Sequence, residues 1–180
     1  MVKIVTDSTS DITRDLALSL GITVVPLTVF FGKQSFLDRV EMSTDEFYER
    51  LVEDVFPTTT QPSPGVFAEV YNQLAEETDE IVVIVISGRL SGTYQSAVGA
   101  KNMIEKKGRV EVIDSRKVAM GLGLLVISAA RMAQAGSDID EIIKYINAAI
   151  DKSFFVVYFD TLTQKRHDNR QGSRALQEHA

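Results

Sequence analysis

Six consecutive β-branched residues, Ile81 to Ile86, constrain this chain more than any other segment. A run without polar alternation fits a strand covered on both faces rather than one with a solvent side. Such strands belong to parallel sheets with helices above and below, and the neighbouring segments supply the rest. Val2 to Thr6 is a short β-branched run ending in Asp7 to Asp11, followed by Ile12, Leu16 and Leu20 at helical spacing and a stop at Gly21. Val110 to Ile113 repeats the arrangement, with Asp114 to Lys117 as its loop and the apolar stretch Val118 to Ala130 as its helix. Strand alternating with helix predicts an α/β fold with a mainly parallel sheet, right-handed crossovers and helices on both faces.

The intervening segments are less regular. Ile22 to Phe31 reads as extended and is broken by Pro26, and Gly32 to Phe36 reads as a turn of hairpin character. Ser43 and Glu46 form a capping box for a helix from Ser43 to Val55, with Phe47, Leu51 and Val55 on one stripe. Pro57 to Pro64 reads as a polar loop. Ser63 then suits an N-cap, with Pro64 in the first turn of a helix that carries Val66, Phe67, Val70, Tyr71 and Leu74. Ser87 to Thr93 leads into a helix through Ile104, Ser137 to Ile150 is amphipathic, and Phe154 to Phe159 reads as a last strand.

Composition narrows the chemistry. Nineteen basic residues against 25 acidic give a formal charge of −6, so the sequence offers no electrostatic reason to expect nucleic acid or an anionic membrane as partner. There is no cysteine, which removes disulfides and thiolate chemistry and agrees with a cytoplasmic location. The N-terminus MVKIVTDS has no secretory pattern, and Val118 to Ala130 is too short to span a bilayer, so no stable membrane insertion is expected. Both histidines, His167 and His179, fall in the last fourteen residues, which makes a serine–histidine triad or a histidine-bound metal a poor reading of the rest. From Gln164 to Ala180 the only large aliphatic residue is Leu176 and the charge is +2, so a polar tail over 163–180, disordered or aberrant, is expected.

In an open parallel sheet, ligands bind outside the carboxyl ends of the strands. Three loops there are rich in hydroxyls: Asp7 to Asp11, Ser87 to Thr93 and Asp114 to Lys117. Each runs into a helix N-terminus, where free N–H groups favour an anion. No glycine-rich phosphate cradle with Lys-Ser or Lys-Thr occurs, and Gly121-Leu-Gly123 lacks the third glycine of a dinucleotide fingerprint. Hydroxyls and amides suit a singly charged head group. Ser8, Ser10 and Ser63 are explained as ordinary helix caps at least as well as by ligand contact. Asp7 and Asp114 are common turn formers, with an acid/base role as the competing reading.

Four segments taken together say more. Thr6-Asp-Ser-Thr-Ser-Asp-Ile12, Thr59-Thr-Gln-Pro-Ser-Pro-Gly65, Leu90-Ser-Gly-Thr-Tyr-Gln-Ser-Ala97 and Val112-Ile-Asp-Ser115, the last followed by Met120-Gly-Leu-Gly-Leu-Leu125, occur in the order seen in the DegV family. The sequence closely resembles these bacterial fatty-acid-binding proteins, whose better-known members are called FakB, over about residues 2 to 162. The resemblance implies a two-lobed α/β protein that encloses one long-chain fatty acid. A separate fatty-acid kinase then phosphorylates the carboxylate to an acyl phosphate for phospholipid synthesis. It implies a lipid-binding carrier without catalytic residues, metal or cofactor. The carboxylate contacts carry over to Thr59 and Ser91, with Ser8, Ser63, Gly92 and Thr93 as further ligand-binding candidates. Burying a tail of ~16 carbons at about 0.8 kcal/mol per methylene contributes on the order of 10 kcal/mol before ordering costs, so affinity would come from the tail and orientation from the hydroxyls.

The departures are specific. Position 88 is glycine where many relatives have a second serine, and beyond Asp160-Thr-Leu162 the second lobe is not recognisable. The expected organisation is therefore a DegV-like lipid-binding lobe over 1–162 with the second lobe truncated or missing, as in a frame-shifted product or a fragment. Two other readings stand beside the carrier. One is a phosphotransferase-like or hydrolytic enzyme using Asp7 or Asp114 at the sheet edge. The other is a non-functional remnant whose exposed lobe face associates with itself.

Overall fold

A computed structural model describes residues 1–51, 56–105, 108–154 and 156. In chain order the elements are β1 (Lys3–Asp7), α1 (Arg14–Leu20), β2 (Ile22–Val25), β3 (Thr28–Phe31), β4 (Gln34–Leu37), α2 (Thr44–Leu51), β5 (Thr58–Thr60), α3 (Pro64–Ala75), β6 (Glu80–Val85), α4 (Thr93–Ala100), β7 (Arg109–Asp114), α5 (Met120–Gln134) and α6 (Ile139–Lys152). Short 3-10 turns follow β1 at Ser8–Ser10 and α4 at Lys101–Met103.

Four strands form a parallel sheet in the order β2-β1-β6-β7. The β-branched run fills its middle for the reason anticipated. Val82, Ile84 and Ile86 face one layer, with Ile4, Ile22 and Ile113, against α1, α5 and α6. Ile81, Val83 and Val85 face the other, with Val5, Val25 and Val110, against Phe67, Tyr71 and Leu74 of α3 and Ala97 and Ala100 of α4. The Tyr71 hydroxyl, buried between those two helices, donates to the Ala97 carbonyl at 3.1 Å, so the largest side chain of that layer leaves no polar atom unpaired.

Pro26 ends β2, and the chain moves to a second sheet, antiparallel in the order β4-β3-β5. The hairpin expected at Gly32 to Phe36 forms, with Phe31 opposite Gln34 and Gly32 at φ +60 in the turn. Val29 and Phe31 pack with Met42, Phe36 and Phe47, and the Arg50 guanidinium lies 4.8 Å from the centre of the Phe36 ring.

Several boundaries differ from the sequence reading. The Pro57 to Pro64 loop contains β5, whose Thr59 lies opposite Val29. Three exposed threonines carry no hydrophobic signature, and the strand exists because β3 offers its edge. The helix expected to run through Ile104 stops at Ala100. The chain then turns so that Ile104 packs onto the Tyr71 layer and the Glu105 N–H reaches Asn72 Oδ1 at 3.0 Å. The apolar helix begins at Met120 rather than Val118 and continues to Gln134. Residues 52–55 of the Ser43 to Val55 helix, most of the Phe154 to Phe159 strand and the 163–180 tail lie outside the described residues.

Candidate functional site at the carboxyl edge of the sheet

The chain leaves β1 toward β2 on one side and reaches β6 on the other, so the crevice between the ends of β1 and β6 is the topological switch point where ligands of such sheets bind. Asp7 stands at that point, with no exposed surface. Its Oδ2 accepts from the Ile86 N–H at 2.8 Å, and its Oδ1 accepts from the Thr9 N–H at 2.9 Å and the Thr9 hydroxyl at 2.5 Å. Burial pushes the Asp7 carboxyl above its ordinary value, against the lowering effect of the bonds from Thr9 and Ile86. Its oxygens bridge the loops after β1 and β6 from inside the protein, a poor position for an acid or base meant to touch substrate.

The serines after β1 do not cap the helix that follows them. Ser8, buried, accepts from the Leu27 N–H at 3.1 Å and so ties the β2–β3 connection to this loop. Ser10 is also buried and its hydroxyl has no partner. Neither caps α1; Thr13 does, accepting from Leu16 at 3.4 Å. Ser63 caps α3 as expected, accepting from Val66, with Pro64 the first helical residue.

The loop after β6 carries the clearest pair of polar groups. Ser91 Oγ and Thr93 Oγ1 lie 2.9 Å apart, and Ser91 Oγ also accepts from the Thr93 N–H at 3.2 Å. Thr93 is buried and Ser91 is half-buried at the entry to α4. A β-carbon on Gly92 between them would lie 2.4 Å from Gln61 Nε2, so a side chain there would have to displace the end of Gln61. Gln61 thus rests on the backbone between the two hydroxyls. This contact brings the Thr59 to Ser63 segment to the Ser91 to Thr93 loop, with Thr59 exposed on β5. Gln61 was not among the sequence candidates. The signal that could have found it is a glycine between two hydroxyl residues at a helix start.

Asp114, half-buried at the end of β7, accepts at Oδ1 from the Gly88 N–H at 3.1 Å and the Arg116 N–H at 2.9 Å. Among the described residues four non-glycine residues have positive φ, and three of them, Asp11, Arg116 and Ala119, lie in the loops after β1 and β7. Such conformations cost about 1–3 kcal/mol each and collect at functional sites. Leu90, Met120 and Leu124 are 56%, 44% and 61% exposed on the loop after β6 and the first turns of α5, which gives the edge an apolar margin. A cavity of about 400 Å³ runs along the outer side of β7 past Tyr94, Asp114, Arg116 and Ile143 and does not reach Thr59 or Ser91. Among the described residues no cluster of His, Cys, Asp or Glu could hold a metal ion, and no helix is long and apolar enough to cross a membrane.

Comparison with known proteins gives this arrangement its context. A family model described as an uncharacterised protein of the DegV family matches residues 1–168. A DegV domain-containing protein of Caldanaerobacter subterraneus is 45% identical over 161 residues, 89% of this chain and 57% of that protein. Among solved structures, a DegV family protein from Thermus thermophilus described for its fatty-acid binding matches with a TM-score of 0.77 at 37% identity, over 83% of this chain and 53% of that one. A stearic-acid-binding protein from Eubacterium ventriosum matches with a TM-score of 0.77 at 32% identity, over 82% and 53%. The chain therefore spans little more than half the length of the relatives it matches.

Proposed function

The chain belongs to the DegV family, and from that premise we propose that it binds one long-chain fatty acid and acts as a carrier. Thr59 and Ser91 hold the carboxylate, with Thr93 and the Gly92 backbone beside them and Ser8 and Ser63 shaping the loops. The observation that carries this reading is the seat of Gln61 on Gly92, which brings the threonine segment of β5 to the Ser91–Thr93 hydroxyl pair at the ligand-binding edge of the sheet. The fatty-acid-binding relatives share the same half of the fold.

The chemistry agrees. Hydroxyls orient a carboxylate without a fixed counter-charge, and the exposed Leu90, Met120 and Leu124 offer apolar surface for the first methylenes of the tail. A carboxylate held this way keeps its oxygens available to a partner. We therefore assign the chemical step to a separate fatty-acid kinase of the cytoplasm, which transfers a phosphoryl group to the bound carboxylate and yields an acyl phosphate for phospholipid synthesis. No residue of this chain is given a catalytic role.

Titration with palmitate tests the reading. The wild-type chain binds it, and Ser91→Ala weakens binding about tenfold, the equivalent of roughly 1.4 kcal/mol and typical of one hydrogen bond to a charged group. Equal affinity of the two proteins removes Ser91 from the site, and absence of saturable binding by the wild type contradicts the function.

A further inference from the structure

Three successive backbone N–H groups leave the end of β6, and each is taken by a group from a neighbouring strand or from the loop after it. The Ile86 N–H donates to Asp7 Oδ2 at 2.8 Å, the Ser87 N–H to the Lys117 carbonyl at 2.9 Å and the Gly88 N–H to Asp114 Oδ1 at 3.1 Å. A strand end exposed to solvent could leave these donors to water. Here they are anchored on both sides, and the loop they begin is the one that ends in Ser91 and Thr93.

Asp114 makes the outermost of these anchors. Its Oδ1 also takes the Arg116 N–H at 2.9 Å, so one oxygen joins the β6 loop to the left-handed turn after β7, where Arg116 has φ 51. Its Oδ2 stands 3.1 Å from the point that a β-carbon on residue 88 would occupy, so the carboxylate fills the space above Gly88. The Ser91 N–H bonds the Ser87 carbonyl at 3.1 Å, so a displacement at residue 88 reaches Ser91 within one turn.

We propose that Asp114 is a positioning residue of the head-group site: it fixes the path of the Ser87 to Thr93 loop and thereby aims the Ser91–Thr93 hydroxyl pair at the ligand carboxylate. This rests on the fatty-acid reading above. Asp7 anchors the same stretch two residues earlier, but it is wholly buried, whereas Asp114 is half-buried and can be replaced without opening the core. Asp114 acts through one accepting oxygen and not through its charge. An asparagine can present the same oxygen to both N–H groups, and an alanine cannot.

The experiment compares wild type, Asp114→Ala and Asp114→Asn, with palmitate and hexadecanol as probes of equal chain length. Asp114→Ala weakens palmitate binding five- to twentyfold and leaves hexadecanol binding within twofold. It also speeds amide exchange at Gly88 and Ser91. Asp114→Asn restores palmitate affinity to within about threefold of wild type. If Asp114→Ala weakens both ligands alike, or neither, the positioning role is overturned while the fatty-acid reading stands. Loss of palmitate affinity in Asp114→Asn equal to that in Asp114→Ala also overturns it, because charge rather than geometry is then what matters. A wild-type chain that binds neither probe overturns the fatty-acid reading and this inference together.

Discussion

Asp7 has no exposed surface, and its oxygens accept from Ile86 and Thr9. Asparagine at this position offers one accepting oxygen instead of two, so the Ile86 or the Thr9 N–H loses its partner. We expect Asp7→Asn to cost about 1–3 kcal/mol in urea unfolding. The sign of the pH effect follows from burial, which raises the Asp7 pKa. Between the ordinary carboxylate value and the raised one, the folded chain keeps a proton that the unfolded chain has released. Its contribution to stability is greatest at the acid end and falls as pH rises through that window. Unfolding measured across the window in wild type and Asp7→Asn should show the fall in the first and its removal in the second; identical slopes would contradict the assignment.

Two glycines make a second comparison at the same scale. A β-carbon at Gly123 would sit 2.4 Å from the Ser10 carbonyl oxygen, which is backbone, while one at Gly92 would meet only the end of the Gln61 side chain at the same 2.4 Å. Gly123→Ala should therefore destabilise by about 1–3 kcal/mol, and Gly92→Ala by clearly less, because Gln61 can swing away. Gly92→Ala should instead weaken palmitate binding. Equal loss of stability in the two variants would mean that Gln61 is not free to move. The sequence shows glycine at both positions, and only the structure tells what each one faces. The Gln61 contact joins residues thirty-one positions apart, and its only local trace is the glycine between two hydroxyl residues at the start of α4.

At the scale of elements, the parallel sheet and its helices were legible because burial on both faces leaves a continuous apolar run, and amphipathic helices leave a spaced one. β5 was not, because Thr58 to Thr60 form an edge strand through pairing with β3 rather than through burial. The α1 boundary slipped for another reason: Ser8, Ser10 and Thr13 are all competent caps, and only tertiary structure decides that Ser8 serves Leu27 instead. The end of α6 holds a further contact the sequence concealed. Lys117 is buried, and its Nζ donates to the Ile150 carbonyl at 3.3 Å and the Ser153 carbonyl at 2.9 Å, closing the helix with a charge from the loop after β7. Lys117→Met keeps the aliphatic stem and removes both bonds. It should cost about 1–3 kcal/mol and speed amide exchange in the last turn of α6. Unchanged exchange there would show that the lysine is not what closes the helix.

For the whole molecule, the site is a consequence of topology. The order β2-β1-β6-β7 opens the crevice between β1 and β6, and Gln61, just after β5, reaches Gly92 in the loop that leaves β6. The position of the crevice could be read from the alternation of strands and helices, and Ser91 from its place at a helix start. Thr59 entered only through the resemblance of its segment to a known motif, because an exposed threonine in a polar stretch carries no signal of its own. The central claim is that this edge holds a fatty acid by its carboxylate, and the most direct measurement is native mass spectrometry of the chain purified without added lipid. We predict a mass increment of one long-chain fatty acid that organic extraction removes and identifies. A chain that carries no lipid under these conditions and takes up none from an equimolar mixture of fatty acids would contradict the account.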